Sequence, residues 1–206
     1  MKKKLSKIKW GFIRRKRLFL FQLFYPKAVA FFDDLFVKNG VNYWLDFGTL
    51  LGFARDGSPI KWDDDLDLGV YIEDQKKVQS LLKSRKVRRK YYFVMDQMII
   101  AERYYYWFVG VDIYYYINKK STYILVEKIN NLSECDVFLN AHAKDITLSR
   151  VSIGKSMHSF MPNNLNEYLA EKYGSQWSIP DANFSFKNSA FYKLQQKTGR
   201  IIKNYF

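Results

Sequence analysis

Asp63, Asp64, Asp65 and Asp67 place four carboxylates within five residues of a chain whose formal net charge is +14. Negative charge so concentrated needs a positive partner. From Asp65 the acids alternate with Leu66 and Leu68, which is the period of a strand with one apolar face. Asp65 and Asp67 therefore present carboxylates side by side while the leucines enter a core. A solvated acidic turn is the ordinary explanation of such a run. Asp112 argues against it, because Val111 and Ile113 flank it in a second apolar run where an unpaired carboxylate destabilises the sheet. Two adjacent strands would bring Asp65, Asp67 and Asp112 to one edge. Carboxylates of this kind suit Mg2+ or Mn2+, and such a set can hold two ions about 3.5–4 Å apart for phosphoryl transfer. A calcium loop starting at Asp63 fails, since its sixth position is Leu68 where glycine is needed and its twelfth is Asp74.

A second half-site precedes the acids. Val41 to Phe47 is rich in β-branched and aromatic residues and predicts a strand running into Gly48. Leu50, Phe53 and Ala54 then follow helical spacing, so Gly48 and Thr49 open a short helix whose free N–H groups and hydroxyl suit an anion. Elsewhere the patterning predicts a helix over 26–39 beginning at Pro26 and stopped by Gly40, and another from Glu73 to about Lys86. Residues 91–126 hold four β-like runs, Tyr91 to Met95, Ile99 to Phe108, Val111 to Ile117 and Tyr123 to Val126, broken at Gly110 and at Asn118-Lys119-Lys120. They predict adjacent strands of one sheet. A last helix covers Asn164 to Tyr173, and the stretch before it is irregular. The fold class expected is α+β, a mixed sheet flanked by helices with a C-terminal helical segment.

Two blocks resemble the signature of the LicD family: Trp44-Leu45-Asp46-Phe47-Gly48-Thr49-Leu50-Leu51-Gly52 with Arg55-Asp56-Gly57, and Trp62-Asp63-Asp64-Asp65-Leu66-Asp67. Gly110-Val111-Asp112-Ile113-Tyr114 resembles the family's third-acid strand, and Pro162, Tyr168-Leu169, Tyr173-Gly174, Trp177 and Pro180 its C-terminal segment. Lys61 stands where the family usually has proline. The family includes bacterial phosphocholine transferases and is similar to the fukutin-related proteins, which transfer ribitol phosphate from CDP-ribitol. The resemblance implies a nucleotidyltransferase fold and transfer of a phospho-alcohol from a CDP-linked donor to a glycan hydroxyl of the cell envelope, such as a lipopolysaccharide, teichoic acid or capsule precursor. It implies that Asp65, Asp67 and Asp112 bind metal, with Asp112 also taking the acceptor proton. Gly48 and Thr49 would meet donor phosphate, and Arg55 would either pair with phosphate or form a surface ion pair with a neighbouring acid. Asp63 and Asp64 would orient Arg55 or a water.

Charge bears on partners. Residues 1–32 contain ten Lys or Arg and no acid, and the apolar run Leu18 to Phe24 is too short to cross a bilayer. The expected organisation is a basic arm over 1–25 followed by one domain over 26–206. The arm is either a solvated terminus or a contact with an anionic membrane surface. With Cys135 alone, no internal disulfide can form, and the expected location is the cytoplasm, including the inner face of its membrane. A lipid-linked glycan acceptor fits that location, and no stable nucleic-acid partner is expected. Two rivals stay open: a same-fold nucleotidyltransferase acting on nucleic acid or a small molecule, and a non-catalytic basic adaptor. Tyr104 to Trp107 and Tyr114 to Tyr116 are read first as sheet packing and second as a cage for a quaternary ammonium.

Overall fold

The computed structural model describes residues 2–129, 134–154, 157–181, 183–184 and 196–202. Helix α1 covers Lys2–Lys38, strand β1 Tyr43–Leu45, α2 Phe47–Asp56, β2 Asp65–Tyr71 and α3 Gln75–Ser84. There follow β3 (Arg88–Met95), β4 (Met98–Tyr106), β5 (Val109–Tyr116), β6 (Ser121–Ile129), β7 (Glu134–Ala141), β8 (Leu148–Ile153) and β9 (Met157–Pro162). Helix α4 (Leu165–Tyr173) and strand β10 (Gln196–Ile202) complete the described elements. The class is α+β, as expected.

Eight strands form one sheet in the order β1-β2-β5-β4-β3-β10-β7-β6, while β8 and β9 make a separate hairpin. Only the β2–β5 pair is parallel among the described residues, so the sheet is mixed. Side chains of one strand alternate between its faces. One face carries Val111, Ile113, Tyr115 and Tyr106 towards α1 and α3; Phe31 of α1 stacks on Tyr106 at 4.1 Å, and Gln79 of α3 bonds Glu102 at 3.2 Å. The other face carries Asp67, Asp112, Tyr114 and Tyr116 towards α2 and α4.

Several elements differ from expectation. Helix α1 does not start at Pro26 but runs through it. Proline forfeits one backbone bond there, and burial of Phe21 on one side with Ala28, Val29 and Phe32 on the other carries the helix across. The break between β4 and β5 falls at Trp107-Phe108, not at Gly110, which pairs within β5. Strand β6 pairs with β7 at the end of the strand order, and it meets β5 near their connecting turn, where the Thr122 hydroxyl donates to the Tyr115 carbonyl at 2.9 Å. The stretch read as irregular contains β7, β8 and β9. Among the described residues no helix is long and apolar enough to cross a membrane.

Candidate active site

The parallel register of β2 and β5 sets Asp67 directly opposite Asp112 and Asp65 opposite Gly110. On the other side of β5, Asp112 faces Arg103 of β4, which in turn faces Tyr91 of β3. Directly paired residues share a face, so Asp67, Asp112, Arg103 and Tyr91 form a row across four strands. The Arg103 guanidinium bridges two carboxylates: Nε donates to Asp112 Oδ1 at 2.5 Å, and Nη2 binds both Asp112 and Asp65.

The start of α2 is clipped onto β2 at Asp67. Asp46 N–H donates to the Asp67 carbonyl at 2.9 Å, Gly48 N–H to Asp67 Oδ2 at 3.1 Å, and Asp67 N–H to the Thr49 hydroxyl at 2.8 Å. A Cβ on Gly48 would lie 2.5 Å from Asp63 Oδ2, so only glycine lets the carboxylates approach the helix this closely. Phe47, at the elbow between β1 and α2, has φ 39. Its ring packs on Tyr114 at 4.4 Å, and Lys172 Nζ lies 3.6 Å from its centroid.

Beneath this elbow lies a buried polar cluster that sequence reasoning did not find. Asp46 caps α2 by accepting from Phe47 N–H at 2.8 Å. It also accepts from Tyr116 Oη at 2.5 Å and Tyr168 Oη at 2.9 Å, and pairs with Lys172. Asp46 and Lys172 are both fully buried. Burial lowers the Lys172 pKa to about 8 against the opposing pull of Asp46. Tyr168 further receives the Trp44 indole N–H at 3.1 Å, tying α4 to β1.

The carboxylates repel one another in a partly buried space. Burial first and then the Asp65 charge raise Asp63 to about 8. Asp67 is pushed up by burial and by Asp65, Asp63 and Asp112. Burial raises Asp112 to about 6, with Arg103 pulling the other way. One oxygen from each of Asp63, Asp65 and Asp67 lies within 4.8 Å of the others, a spacing able to hold a metal ion. These hard donors fit Mg2+ or Mn2+.

A pocket of about 860 Å3 opens over the cluster, within the usual range for a ligand site. Gly48, Arg55, Asp63, Asp65, Asp67 and Asp112 line it, and Trp62, Tyr114, Tyr173 and Trp177 supply aromatic wall. The expected residues thus gather at one place, with three differences of detail. Asp63 stands with Asp65 and Asp67 in the converging set, whereas both Asp112 oxygens are engaged by Arg103. The Thr49 hydroxyl faces β2, because the first turn of α2 lies flat on that strand. Asp64 does not reach Arg55; it pairs with Arg17 of α1 at 2.5 Å, and Arg55 pairs with Asp56 at 3.0 Å. Of the tyrosines, Tyr104, Tyr115 and Tyr116 are buried in the sheet, and Tyr114 faces the pocket.

Residues 40–150 match the family model described as LicD/FKTN/FKRP, nucleotidyltransferase domain. That segment is more than half of the 206 residues and contains the whole carboxylate row. The chain belongs to this family. Relatives of the LicD domain include an uncharacterised protein of Rickettsia prowazekii, 40% identical over 68 residues, or 33% of this chain and 24% of that protein. Human ribitol 5-phosphate transferase FKRP is 63% identical over 35 residues, 17% of this chain and 7% of the relative. Human ribitol-5-phosphate transferase FKTN is 46% identical over 39 residues, 19% and 8% respectively. The likeness thus takes in at most about a quarter of these relatives' length. Tyr168 and Lys172, which support the LicD elbow from below, lie beyond the matched segment.

Proposed function

We propose that this chain transfers a phospho-alcohol from a CDP-activated donor to a hydroxyl of a glycan of the cell envelope. The observation that carries this reading is the convergence of Asp63, Asp65 and Asp67 before the glycine-opened end of α2, at the floor of a pocket large enough for a nucleotide. Membership in a nucleotidyltransferase-domain family supports it. The ribitol phosphate transfer named for two relatives makes ribitol one candidate group. Choline is the other, since the aromatic wall of Trp62, Tyr114, Tyr173 and Trp177 suits a quaternary ammonium.

Asp63, Asp65 and Asp67 would hold a divalent ion, Mg2+ or Mn2+, and Asp112 would have to leave Arg103 to hold a second. Bound there, the ion would neutralise charge on the donor phosphates. Gly48, which lines the pocket without a side chain, lets the donor approach α2 closely, while its N–H is held by Asp67. Arg55 reaches the donor phosphates by giving up Asp56. Thr49 acts indirectly, holding α2 to β2. Arg103 fixes the Asp112 carboxylate, and Asp112 is the carboxylate that would accept the acceptor proton.

The test is release of CMP from CDP-ribitol, CDP-choline and CDP-glycerol in the presence of Mg2+. At least one donor is expected to yield CMP, with a drop of about 100-fold or more in Asp67→Asn. Failure with every donor, or release that Asp67→Asn leaves unchanged, overturns the reading. Pyrophosphate release from a nucleoside triphosphate in its place favours nucleotidyl transfer.

A further inference from the structure

The hairpin tip joining β4 to β5 holds Trp107 and Phe108, which are 62% and 53% exposed. Trp107 has φ 55, a left-handed conformation that a tight hairpin turn normally assigns to asparagine or glycine. A bulky aromatic residue kept there bears a conformational cost while most of its surface stays exposed, which points to a use for its exposure. The tip rests against α1: Phe24 lies 5.8 Å from Trp107 and 5.2 Å from Phe108, and Lys27 Nζ sits 5.3 Å above the Trp107 ring.

From there α1 continues the same surface. Phe19 and Leu23, one turn apart, are 68% and 57% exposed. Arg14, Arg15 and Lys16 are exposed beside them. Residues 1–32 carry ten cations and no acid. Exposed apolar side chains among these cations suit an anionic bilayer surface, the cations meeting lipid headgroups and the aromatic rings lying at headgroup depth. The surface also adjoins the end of β2 that bears the carboxylates. Gly110, two residues past the tip, pairs with Asp65, and Arg17 of α1 grips Asp64.

We infer that α1 and the Trp107-Phe108 tip form one docking surface for an anionic lipid bilayer, which brings the carboxylate-bearing end of β2 close to the headgroup layer. Through the proposed transfer reaction, it follows that the acceptor is presented at the membrane as a lipid-linked glycan. Docking itself does not require that reaction.

The experiment is sedimentation of the whole chain with vesicles of phosphatidylcholine alone, or of phosphatidylcholine with about one third phosphatidylglycerol. Binding to the mixed vesicles is expected to exceed binding to the neutral ones at least tenfold. Trp107→Asn with Phe108→Gly supplies the residues the turn favours, so that variant should fold at least as well. It should bind the mixed vesicles about tenfold more weakly. Phe19→Ser with Leu23→Ser should weaken binding similarly, and both variants should keep CMP release from a soluble CDP-alcohol. Equal binding to the two vesicles, or undiminished binding by both apolar variants, overturns the inference. So does binding to duplex DNA with none to vesicles. Loss of CMP release in wild type with vesicle binding intact would count against the transfer reaction alone.

Discussion

Arg103 Nη2 touches both Asp65 and Asp112, so replacing Arg103 with methionine leaves two largely buried carboxylates facing each other. Removing one partner of such a group costs about 3–5 kcal/mol. Arg103→Met should melt at a lower temperature, and Mg2+ should recover more of its stability than it adds to wild type; calorimetric melts with and without the ion check this. Lys172 poses the same problem in a drier place. Lys172→Met alone should cost about 3–5 kcal/mol by stranding Asp46, whereas Lys172→Met with Asp46→Asn should recover most of it in denaturant titrations. The acids could be read from the sequence because Asp65-Leu66-Asp67 alternates and Asp112 interrupts an apolar run. Arg103 and Lys172 could not: cross-strand register brings Arg103 to Asp112, and a contact spanning 126 residues brings Lys172 to Asp46. Nothing local distinguishes these two cations among the 34 in the chain.

Two close approaches hold β1 against β2 and α2 against the loop that follows it. A Cβ at Gly69 of β2 would meet the Trp44 indole at 2.2 Å, and one at Gly52 of α2 would meet the backbone of Ser58 and Ile60 at 2.7 Å. Gly69→Ala should therefore destabilise by about 1–3 kcal/mol through overpacking, seen as a lower urea midpoint with an unchanged slope. Gly48→Ala differs, since the atom it meets is the movable Asp63 carboxylate. It should keep most of the stability and lose divalent-ion affinity by about tenfold or more in calorimetric titration. Elements with strong periodicity, α2, β2 and α4, were legible within a residue or two. Strands β7, β8 and β9 were not, because their sequences lack a clean alternation and pairing partners make them strands. The β4–β5 turn was missed for a related reason: Trp107 and Phe108 look like strand residues, and only the backbone reveals the turn.

Across the chain, the family match ends before α4, yet α4 supplies Lys172 and Tyr168 to the elbow that aims α2 at the acids. The catalytic reading thus requires the carboxylates, the glycine-opened helix and its buried support to work as one unit, with a divalent ion and a nucleotide meeting between them. Anomalous diffraction from crystals grown with Mn2+ and CDP tests this most directly. The expected result is a manganese peak among the Asp63, Asp65 and Asp67 carboxylates, with the CDP phosphates between that ion and the Gly48 end of α2. A manganese site elsewhere, or CDP bound away from this pocket, would contradict it.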